Sequence, residues 1–368
     1  MTKAPTRSTQ PDLLYSEAED DLRAAVRSLL TDRADTAALL ARAEAGTPYD
    51  AGLWKALAAD MGAAGLLVPE KLGGQGASHR EAAVVLEELG RQVTPAPYLT
   101  SSVIATEVLL ALDTETPEVA GLLAALASGR TVAVLAVPLS ASPYGPLAAG
   151  ASRVSGVADA AAADVFLVLR SDGLYAVEAG EAGVEAQTPL DLTRPLAAVT
   201  VSATAAATRL ADSDAAEAAV RRGLLAGAGL LASEQLGVAE WCLEETVRHT
   251  RERHQFNRPI GSFQALKHRM AQLWLEVVSA RAAVRNAADA LATDSPEAAL
   301  AVAIAQAYTS RVAVHAAEEC VQLHAGIGMT WEHPAHLHLK RAKSDSIALG
   351  TAGSHTEALA ELVDIEAP

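Results

Sequence analysis

Aromatic residues and cysteines are scarce in this chain of 368 residues. Phe, Trp and Tyr together make up 4% of the sequence, although half of all residues are hydrophobic. The core must therefore consist mainly of aliphatic and small side chains, which suits closely packed helices. The two cysteines, Cys242 and Cys320, have no Cys-x-x-Cys spacing. This argues against a disulfide-stabilised scaffold and a cysteine metal site, and favours buried thiols in a reducing compartment.

Positive charge and long apolar runs are also in short supply. The chain has 29 Lys and Arg against 45 Asp and Glu, a net charge of -16. Nucleic acids and anionic membranes require basic surfaces, so neither is an expected partner. No uninterrupted apolar run reaches the roughly 18 residues of a membrane span. Residues 1–12 are polar and lack the apolar segment of a secretion signal. These features predict a cytoplasmic protein.

The apolar pattern divides the chain into three regions. Residues 1–130 are predicted to form a helical domain, in which Ser78 and Glu81 make a capping box and Gly90 ends that helix. Residues 131–208 are predicted to form a β domain, because short apolar runs alternate with Gly, Ser and Asp. The runs lie at 131–137, 164–169, 173–177 and 197–201.

Residues 209–368 are again predicted to be helical. Four long segments, 214–251, 262–292, 296–325 and 335–363, would form an antiparallel four-helix bundle. The expected fold class is therefore mainly α with a small β domain.

The segment from Arg251 to His268 has the strongest functional signal. A basic helix end leads into an Asn-Arg-Pro-Ile-Gly turn, and a new helix is expected to open at Ser262. Helix N-termini and arginines both favour phosphate groups, so an anion site is predicted here. The basic residues concerned are Arg248, Arg251, Arg253, Arg258, Lys267 and Arg269, and a second cluster follows at Lys340, Arg341 and Lys343.

The sequence of this segment resembles the flavin-contacting motif of acyl-CoA dehydrogenases, R-x-Q-F-G-x-P-I-x-x-F-Q, with Asn257 in place of glycine. Residues 66–76 and 86–91 resemble that family's N-terminal domain, and 190–194 resembles the exit from its β domain. Residues 321–332 resemble its motif Q-x-x-G-G-x-G-x-x-x-E. The resemblance covers nearly the whole chain. It implies the acyl-CoA dehydrogenase fold, with an N-terminal helical domain, a middle β domain and a C-terminal four-helix bundle.

The resemblance also implies an FAD site shared between subunits. In that family these two motifs cover the adenine and pyrophosphate of FAD held mainly by the neighbouring subunit. Carried onto this chain, Arg253 would pair with pyrophosphate, Gln255 and Phe256 would line the nucleotide, and Gln264 would add a polar contact. Gln322, Ala325 and Gly326 would let the backbone approach the adenosine, with Ala325 standing where glycine is usual.

The chemistry implied by the family is α,β-dehydrogenation of an acyl-CoA thioester. A carboxylate removes the α proton while FAD accepts the β hydrogen as hydride. Leu349 occupies the commoner position of that carboxylate and Gly227 the alternative position. The nearest downstream carboxylate on the same helical face is Glu234, about 10 Å along the axis. It is a possible displaced base, although a structural role is the stronger interpretation.

The β domain departs from the family as well. Residues 137–143 lack the T-E-P-x-x-G-S-D flavin loop, and the strand pair around the flavin ring is shortened at 156–164. This pattern resembles the two-subunit acyl-CoA dehydrogenases of actinobacteria, in which one subunit carries the base and the other completes the FAD site. The partners expected are acyl-CoA, a homologous subunit in a homo- or hetero-oligomer (a dimer or tetramer), and electron-transferring flavoprotein.

Two alternatives remain. The chain could be a complete enzyme that uses Glu234, or a flavin-free structural partner. The absent family carboxylate speaks against the first, and the retained Arg253, Gln255 and Phe256 speak against the second. Histidines such as His268 and His324 are read as ordinary helix residues, so no metal site is expected.

Overall fold

A computed structural model describes residues 13–33, 36–45 and 50–364. Helices dominate both ends of this part of the chain, as predicted. Two further stretches, Ala56–Asp60 and Tyr98–Ala105, form wide π-helical turns. The α-helices are α1 (Glu17–Arg33), α2 (Thr36–Ala45), α3 (Ala51–Lys55), α4 (His79–Arg91), α5 (Thr106–Leu110), α6 (Pro117–Ala127), α7 (Ser213–Glu252), α8 (Gln264–Ala292), α9 (Ala298–His324), α10 (Ala335–Asp345) and α11 (Ala352–Leu362).

Two small sheets lie between the helical regions. Their strands are β1 (Ala133–Leu135), β2 (Arg153–Ala158), β3 (Val165–Arg170), β4 (Gly173–Glu178), β5 (Ala182–Gln187), β6 (Leu196–Val201) and β7 (Thr208–Asp212). One sheet has the strand order β1-β3-β4-β7 and the other β2-β6-β5, and within these two sheets only the β1–β3 pair is parallel. The predicted apolar runs became β1, β3, β4 and β6.

Three strands, β2, β5 and β7, were not predicted, because exposed and half-buried side chains predominate in them and they contain no apolar run. In β5, five of the six residues are exposed. β7 runs four residues beyond 208, where the β domain was expected to end. The mainly helical fold class is confirmed, whereas the three domain boundaries stay predictions.

The C-terminal region forms a helical bundle whose first three helices match the predicted segments within a few residues. The predicted fourth helix, 335–363, is wrong. It consists of α10 and α11, separated by Leu349 with φ 52° and Gly350 with φ 103°. Two successive residues with positive φ cannot continue a right-handed helix. This break turns the chain so that Leu349 enters the core.

Two glycines let α4 and α7 touch through their backbones. A Cβ added at Gly90 would lie 2.1 Å from the backbone oxygen of Glu234, and one added at Gly237 would lie 1.9 Å from that of Glu87. The predicted capping box at Ser78 is present, but α4 continues past Gly90 to Arg91, so the expected stop there is one residue early. Gly90 serves close packing, and this contact fixes the position of Glu234.

Cys242 and Cys320 are buried free thiols on α7 and α9, as predicted. Among the described residues, none of the helices combines the length and the apolar character needed to span a membrane.

Candidate functional site

The two positions where the resemblance places a base meet in the core. Gly227 lies on α7 and Leu349 lies between α10 and α11, 122 residues later. A Cβ added at Gly227 would lie 3.2 Å from Leu349 Cδ1 and 2.6 Å from Ile104 Cγ1. Leu349 is only 1% exposed. The fold therefore brings both positions to one place, and that place is filled with hydrocarbon.

The remaining space at this place is small. The cavity beside Leu349 measures about 20 Å³, room for a single water molecule. The Leu349 N–H donates to the carbonyl oxygen of Leu139 at 2.7 Å, which draws the loop after β1 across it. The lining residues are Thr100, Ile104, Val134, Leu135, Val137, Pro138, Leu139, Ala158 and Leu349. No carboxylate is among these residues, so the cavity wall offers no side chain to remove a proton from carbon.

One carboxylate that the sequence did not indicate lies behind this wall. Thr100 donates its hydroxyl hydrogen to Asp159 Oδ2 at 2.8 Å, and Asp159 is buried. Burial raises the pKa of Asp159 to about 6, although Arg194 and the Thr100 hydrogen bond oppose that rise. This hydrogen-bonded pair could not be recognised in the sequence, because Thr100 and Asp159 lie 59 residues apart.

Glu234, the displaced base considered from sequence, belongs to a buried ionic cluster. Its two carboxylate oxygens accept hydrogen bonds from Arg194 Nη2 at 2.5 and 2.7 Å, and Arg341 Nη1 donates to the first at 2.5 Å. Burial alone would raise the pKa of Glu234, but the two guanidinium groups outweigh it and hold that pKa below its usual value. A base with its oxygens occupied in this way is poorly suited to proton abstraction, so the geometry favours the structural role.

The same cluster joins the β region to the bundle. Arg341 also pairs with Asp191, and Arg194 Nη1 donates to Asp345 Oδ1 at 2.9 Å. Asp345 Oδ2 is buried without a hydrogen-bond partner. Burial and the charge of Glu234 raise the pKa of Asp345 to about 8. The cluster thus holds three carboxyl groups against two guanidinium groups, with Asp345 the one that takes the proton.

Arg341 corrects one prediction. It was grouped with Lys340 and Lys343 as a second basic cluster, but Arg341 is 1% exposed and serves the buried ion pairs. Lys343 pairs with Glu318 at 2.6 Å, and Lys340 lies over the ring of Trp331 at 4.2 Å. This group does not form a free basic patch.

The R-x-Q-F motif forms a hairpin that points away from the protein. His254–Gln255 pairs with Arg258–Pro259, and the turn residues Phe256 and Asn257 have φ 52° and 60°. Asn is among the few residues that tolerate this left-handed conformation. The replacement of the family's glycine by Asn257 is therefore physically conservative.

The hairpin exposes an aromatic and cationic surface. Phe256 is 86% exposed, and its ring meets that of Phe263 edge to face at 6.0 Å. Arg258 lies over the other ring, 3.9 Å from the Phe263 centroid. Arg253 and Gln255 are also exposed. Such an exposed ring next to a guanidinium group is typical of a contact surface rather than of a packed turn.

Among the six basic residues grouped here, only some are neutralised by carboxylates. Arg248 pairs with Glu245 and Glu252, and Arg269 pairs with Glu319. In the described part of the chain, Arg251, Arg253, Arg258 and Lys267 have no carboxylate partner. Arg251 and Lys267 line a cavity of about 460 Å³ beside the start of α8. The predicted anion site thus has cations available, although α8 begins at Gln264 rather than at Ser262.

The second motif forms a strained loop after α9. Ala325 has φ 52° and ψ -133°, a conformation that glycine adopts readily and alanine does not. Gln322, Ala325 and Gly326 are exposed, and a Cβ added at Gly326 would meet nothing within 4 Å. Ala325 therefore keeps a backbone conformation that suits the glycine usual at this position. The loop keeps its shape, at the cost of backbone strain at Ala325.

A helical bundle that follows a small β region and carries this outward hairpin has the architecture of an acyl-CoA dehydrogenase. Family models described as the N-terminal and C-terminal domains of acyl-CoA dehydrogenase match residues 16–129 and 216–363. An acyl-CoA dehydrogenase called IpdE2 from Mycolicibacterium smegmatis is 37% identical over 336 residues, which are 91% of this chain and 95% of that protein. This chain therefore belongs to the acyl-CoA dehydrogenase family of enzymes.

Solved structures agree with this fold. The ChsE4-ChsE5 complex from Mycobacterium tuberculosis contains a chain with a TM-score of 0.83 and 27% identity, covering 97% of this chain and 100% of that one. The butyryl-CoA dehydrogenase of Megasphaera elsdenii matches with a TM-score of 0.83 at 20% identity, over 96% and 99% of the two chains. The relatives in mycobacteria fit the actinobacterial type expected from the sequence.

Proposed function

We propose that this chain is a subunit of an FAD-dependent acyl-CoA dehydrogenase and that a homologous partner subunit supplies the catalytic carboxylate. The observation that carries the proposal is the meeting of Gly227 and Leu349. Both places where the family puts a base coincide in this fold, and neither residue can accept a proton. The complex, rather than this chain alone, would then dehydrogenate the acyl-CoA thioester.

The space beside Leu349 does not fit a flavin ring. A cavity of about 20 Å³ beside Leu349 is far too small for three fused rings, and the loop after β1 is bonded across it. No catalytic step is therefore assigned to FAD at this place. When bound in the partner, FAD would supply hydride acceptance.

The exposed hairpin and the loop after α9 suit contact with a nucleotide that is bound by another subunit. Arg253, Gln255 and Phe256 lie on the surface, as do Gln322 and the backbone at 325–326. A guanidinium group without a carboxylate partner can bind pyrophosphate bidentately, and an exposed aromatic ring can stack on adenine. With Gln264 at the start of α8, these residues would cover the adenine nucleotide of FAD held by the partner.

The descriptions of two similar proteins support the partner and the substrate class. One matched chain belongs to the ChsE4-ChsE5 complex, and another belongs to a protein pair described as a steroid acyl-CoA dehydrogenase. We therefore extend the proposal to a heteromer that acts on acyl-CoA thioesters from steroid or other lipid degradation in the cytoplasm. Electron-transferring flavoprotein is the proposed acceptor.

Co-expression with a homologous subunit that keeps a carboxylate at either base position would test the proposal. FAD per complex and bleaching of the flavin by acyl-CoA would be measured. Arg253→Ala should lower FAD retention by at least tenfold. Arg269→Ala removes a nearby guanidinium group that is already paired with Glu319 and should leave retention unchanged.

Two outcomes would replace the proposal. If this chain alone carries FAD and oxidises acyl-CoA, it is a self-sufficient enzyme. If the complex keeps its flavin equally well with Arg253→Ala and Phe256→Ala, and the chain alone stays colourless, it is a structural partner that does not touch the flavin.

A further inference from the structure

A cluster of two histidines and a carboxylate lies where the C-terminal ends of α7 and α9 meet the segment before α10. Glu245 is on α7, His324 is the last residue of α9, and His333 precedes α10. One potential ligand atom from each lies within 4.8 Å of the other two. We propose that Glu245, His324 and His333 bind a divalent transition-metal ion of the zinc class. This revises the expectation from sequence, in which His324 was an ordinary helix residue.

The interatomic distances suit a tetrahedral ion. Glu245 Oε1 lies 3.3 Å from His333 Nε2 and 3.6 Å from His324 Nε2. Zinc binds histidine nitrogen and carboxylate oxygen at about 2.0–2.1 Å, so neighbouring ligand atoms of a tetrahedron lie about 3.4 Å apart. The two measured distances lie on either side of that value. The third pair, formed by the two histidine nitrogens, lies within 4.8 Å, so a bound ion would draw these side chains together.

When its ring is neutral, His324 directs a lone pair into the cluster. Its Nδ1 lies 2.7 Å from the carbonyl oxygen of Cys320, and a carbonyl oxygen can only accept a hydrogen bond. Nδ1 must therefore carry the ring hydrogen, which leaves the Nε2 of the neutral ring as an acceptor. The His324 side chain is 0% exposed, and its Nε2 has no hydrogen-bond partner. A backbone carbonyl on the opposite ring nitrogen is the usual support of a metal-binding histidine.

Glu245 is oriented by Arg248. The Arg248 Nε donates to Glu245 Oε2 at 2.9 Å, while Oε1 faces the histidines. Arg248 Nη2 also donates to Oε1, but each carboxylate oxygen has two lone pairs and can accept a second contact. Arg248 is thus a positioning residue, and its second carboxylate partner, Glu252 at 2.9 Å, balances its charge.

His333 must change its tautomer to bind an ion. Its Nε2 donates to Glu245 Oε1, and its Nδ1 accepts from the Ala335 N–H at 3.2 Å. Binding would move the ring hydrogen to Nδ1 and give up the long contact with Ala335. The hydrogen bond from Nε2 to Glu245 and the contact with Ala335 would both be exchanged for bonds to a divalent cation.

The three residues leave a fourth position free for water, as in zinc sites with three protein ligands. The side chains of Glu245 and His333 are 13% and 14% exposed, so an ion can enter from solvent. The ring of His249 stacks on His324 at 4.1 Å and covers the inner side. A bound ion would link Glu245 on α7 to His324 on α9, one residue before the strained loop at Ala325.

Cobalt is a suitable probe, because tetrahedral Co²⁺ absorbs visible light. The full-length protein, prepared without a histidine tag and stripped with a chelator, would be titrated with Co²⁺ and then with Zn²⁺. One Co²⁺ per chain should bind with visible bands that Zn²⁺ removes. His333→Ala and Glu245→Gln should each weaken binding at least tenfold, with circular dichroism verifying the fold.

His315→Ala is the matched control, because His315 also lies beside carboxylates, 2.7 Å from Glu276 and 3.8 Å from Glu319, but has no second histidine. It should bind Co²⁺ as the wild type does. The proposal is overturned if the wild type shows no tetrahedral bands, or if the bands survive in both ligand variants. The test uses neither flavin nor acyl-CoA, so its result is independent of the proposed function.

Discussion

The interior of the fold around Leu349 and the hairpin around Phe256 differ in almost every physical respect. Leu349 is 1% exposed and packs beside Gly227, whereas Phe256 is 86% exposed. Both residues have a positive φ that is costly for a large side chain. In the interior, the Leu349 side chain packs in the core, and this packing can offset the cost of the positive φ. At the hairpin tip the ring of Phe256 has only an edge contact with Phe263 inside the described part of the chain, which favours a role in a contact outside the chain.

This difference separates stability from binding. Substitutions near Glu234 and Leu349 should act on folding, while substitutions in the hairpin should act only on a bound partner or cofactor. Variants from the two regions therefore test whether this division is real.

The largest effect is expected for Glu234→Gln. Removing this charge leaves Arg194 and Arg341 buried with too little compensation, which should lower the free energy of unfolding by about 3–5 kcal/mol. Urea denaturation would measure it. If Glu234→Gln instead keeps its stability but loses turnover, Glu234 is the base. The interior would then act in catalysis as well as in folding.

A pH-dependent effect is expected from Asp345. Its pKa is raised to about 8 by burial and by the charge of Glu234, so between about pH 4 and pH 8 the folded chain holds a proton that the unfolded chain releases. Stability must then fall as pH rises, by up to about 1.4 kcal/mol per unit. Asp345→Asn should reduce this slope in unfolding curves from pH 5 to 8.

Asp294→Asn provides the control for that experiment, because this carboxylate is exposed and pairs with Arg222 at the surface. Its slope should follow that of the wild type. Equal slopes in Asp345→Asn and the wild type would show that the buried cluster carries no extra proton.

A smaller effect of opposite sign is expected for Ala325→Gly. Glycine accepts φ 52° and ψ -133° without a Cβ clash, so the variant should be more stable by about 1 kcal/mol. Ala282→Gly, on the exposed side of α8, should lose about 0.5–1 kcal/mol. Thermal unfolding of the two variants would measure these changes. A loss of stability in both would contradict backbone strain at Ala325.

The smallest change in stability is expected for Phe256→Ala, within about 0.5 kcal/mol, because the ring is exposed. FAD retention by the complex with a partner subunit should nevertheless fall. Leu190→Ala removes another exposed hydrophobic side chain, 61% exposed, and should alter neither property. A marked loss of stability in Phe256→Ala would mean that the ring supports the fold.

The sequence was informative where one short segment contains the whole signal. The long helices α7, α8 and α9 have extended apolar patterns, and the R-x-Q-F segment contains its own turn residues. The break at Leu349 was missed because leucine is an unusual residue for a left-handed position, and only tertiary packing holds it there. The strands β2, β5 and β7 were missed because they lack a buried face along much of their length.

Sites assembled from distant segments could not be predicted in detail. Nothing local links Gly227 to Leu349, or Glu245 to His324 and His333. The ionic cluster of Glu234 likewise draws Arg194 from the β region and Arg341 from α10. In each case the separation along the chain is bridged by helix packing, which a single sequence does not encode in a readable pattern.

The length of α7 has a mechanical consequence. This one helix of 40 residues carries Gly227 in the core and ends beside Arg253, about 39 Å farther along its axis at 1.5 Å per residue. Gly237 anchors it against α4 between those points. Adding a single residue beyond that anchor would turn the arm by about 100° and aim it at a different face of any neighbouring molecule. The length of α7 is therefore constrained as tightly as the side chains that it buries.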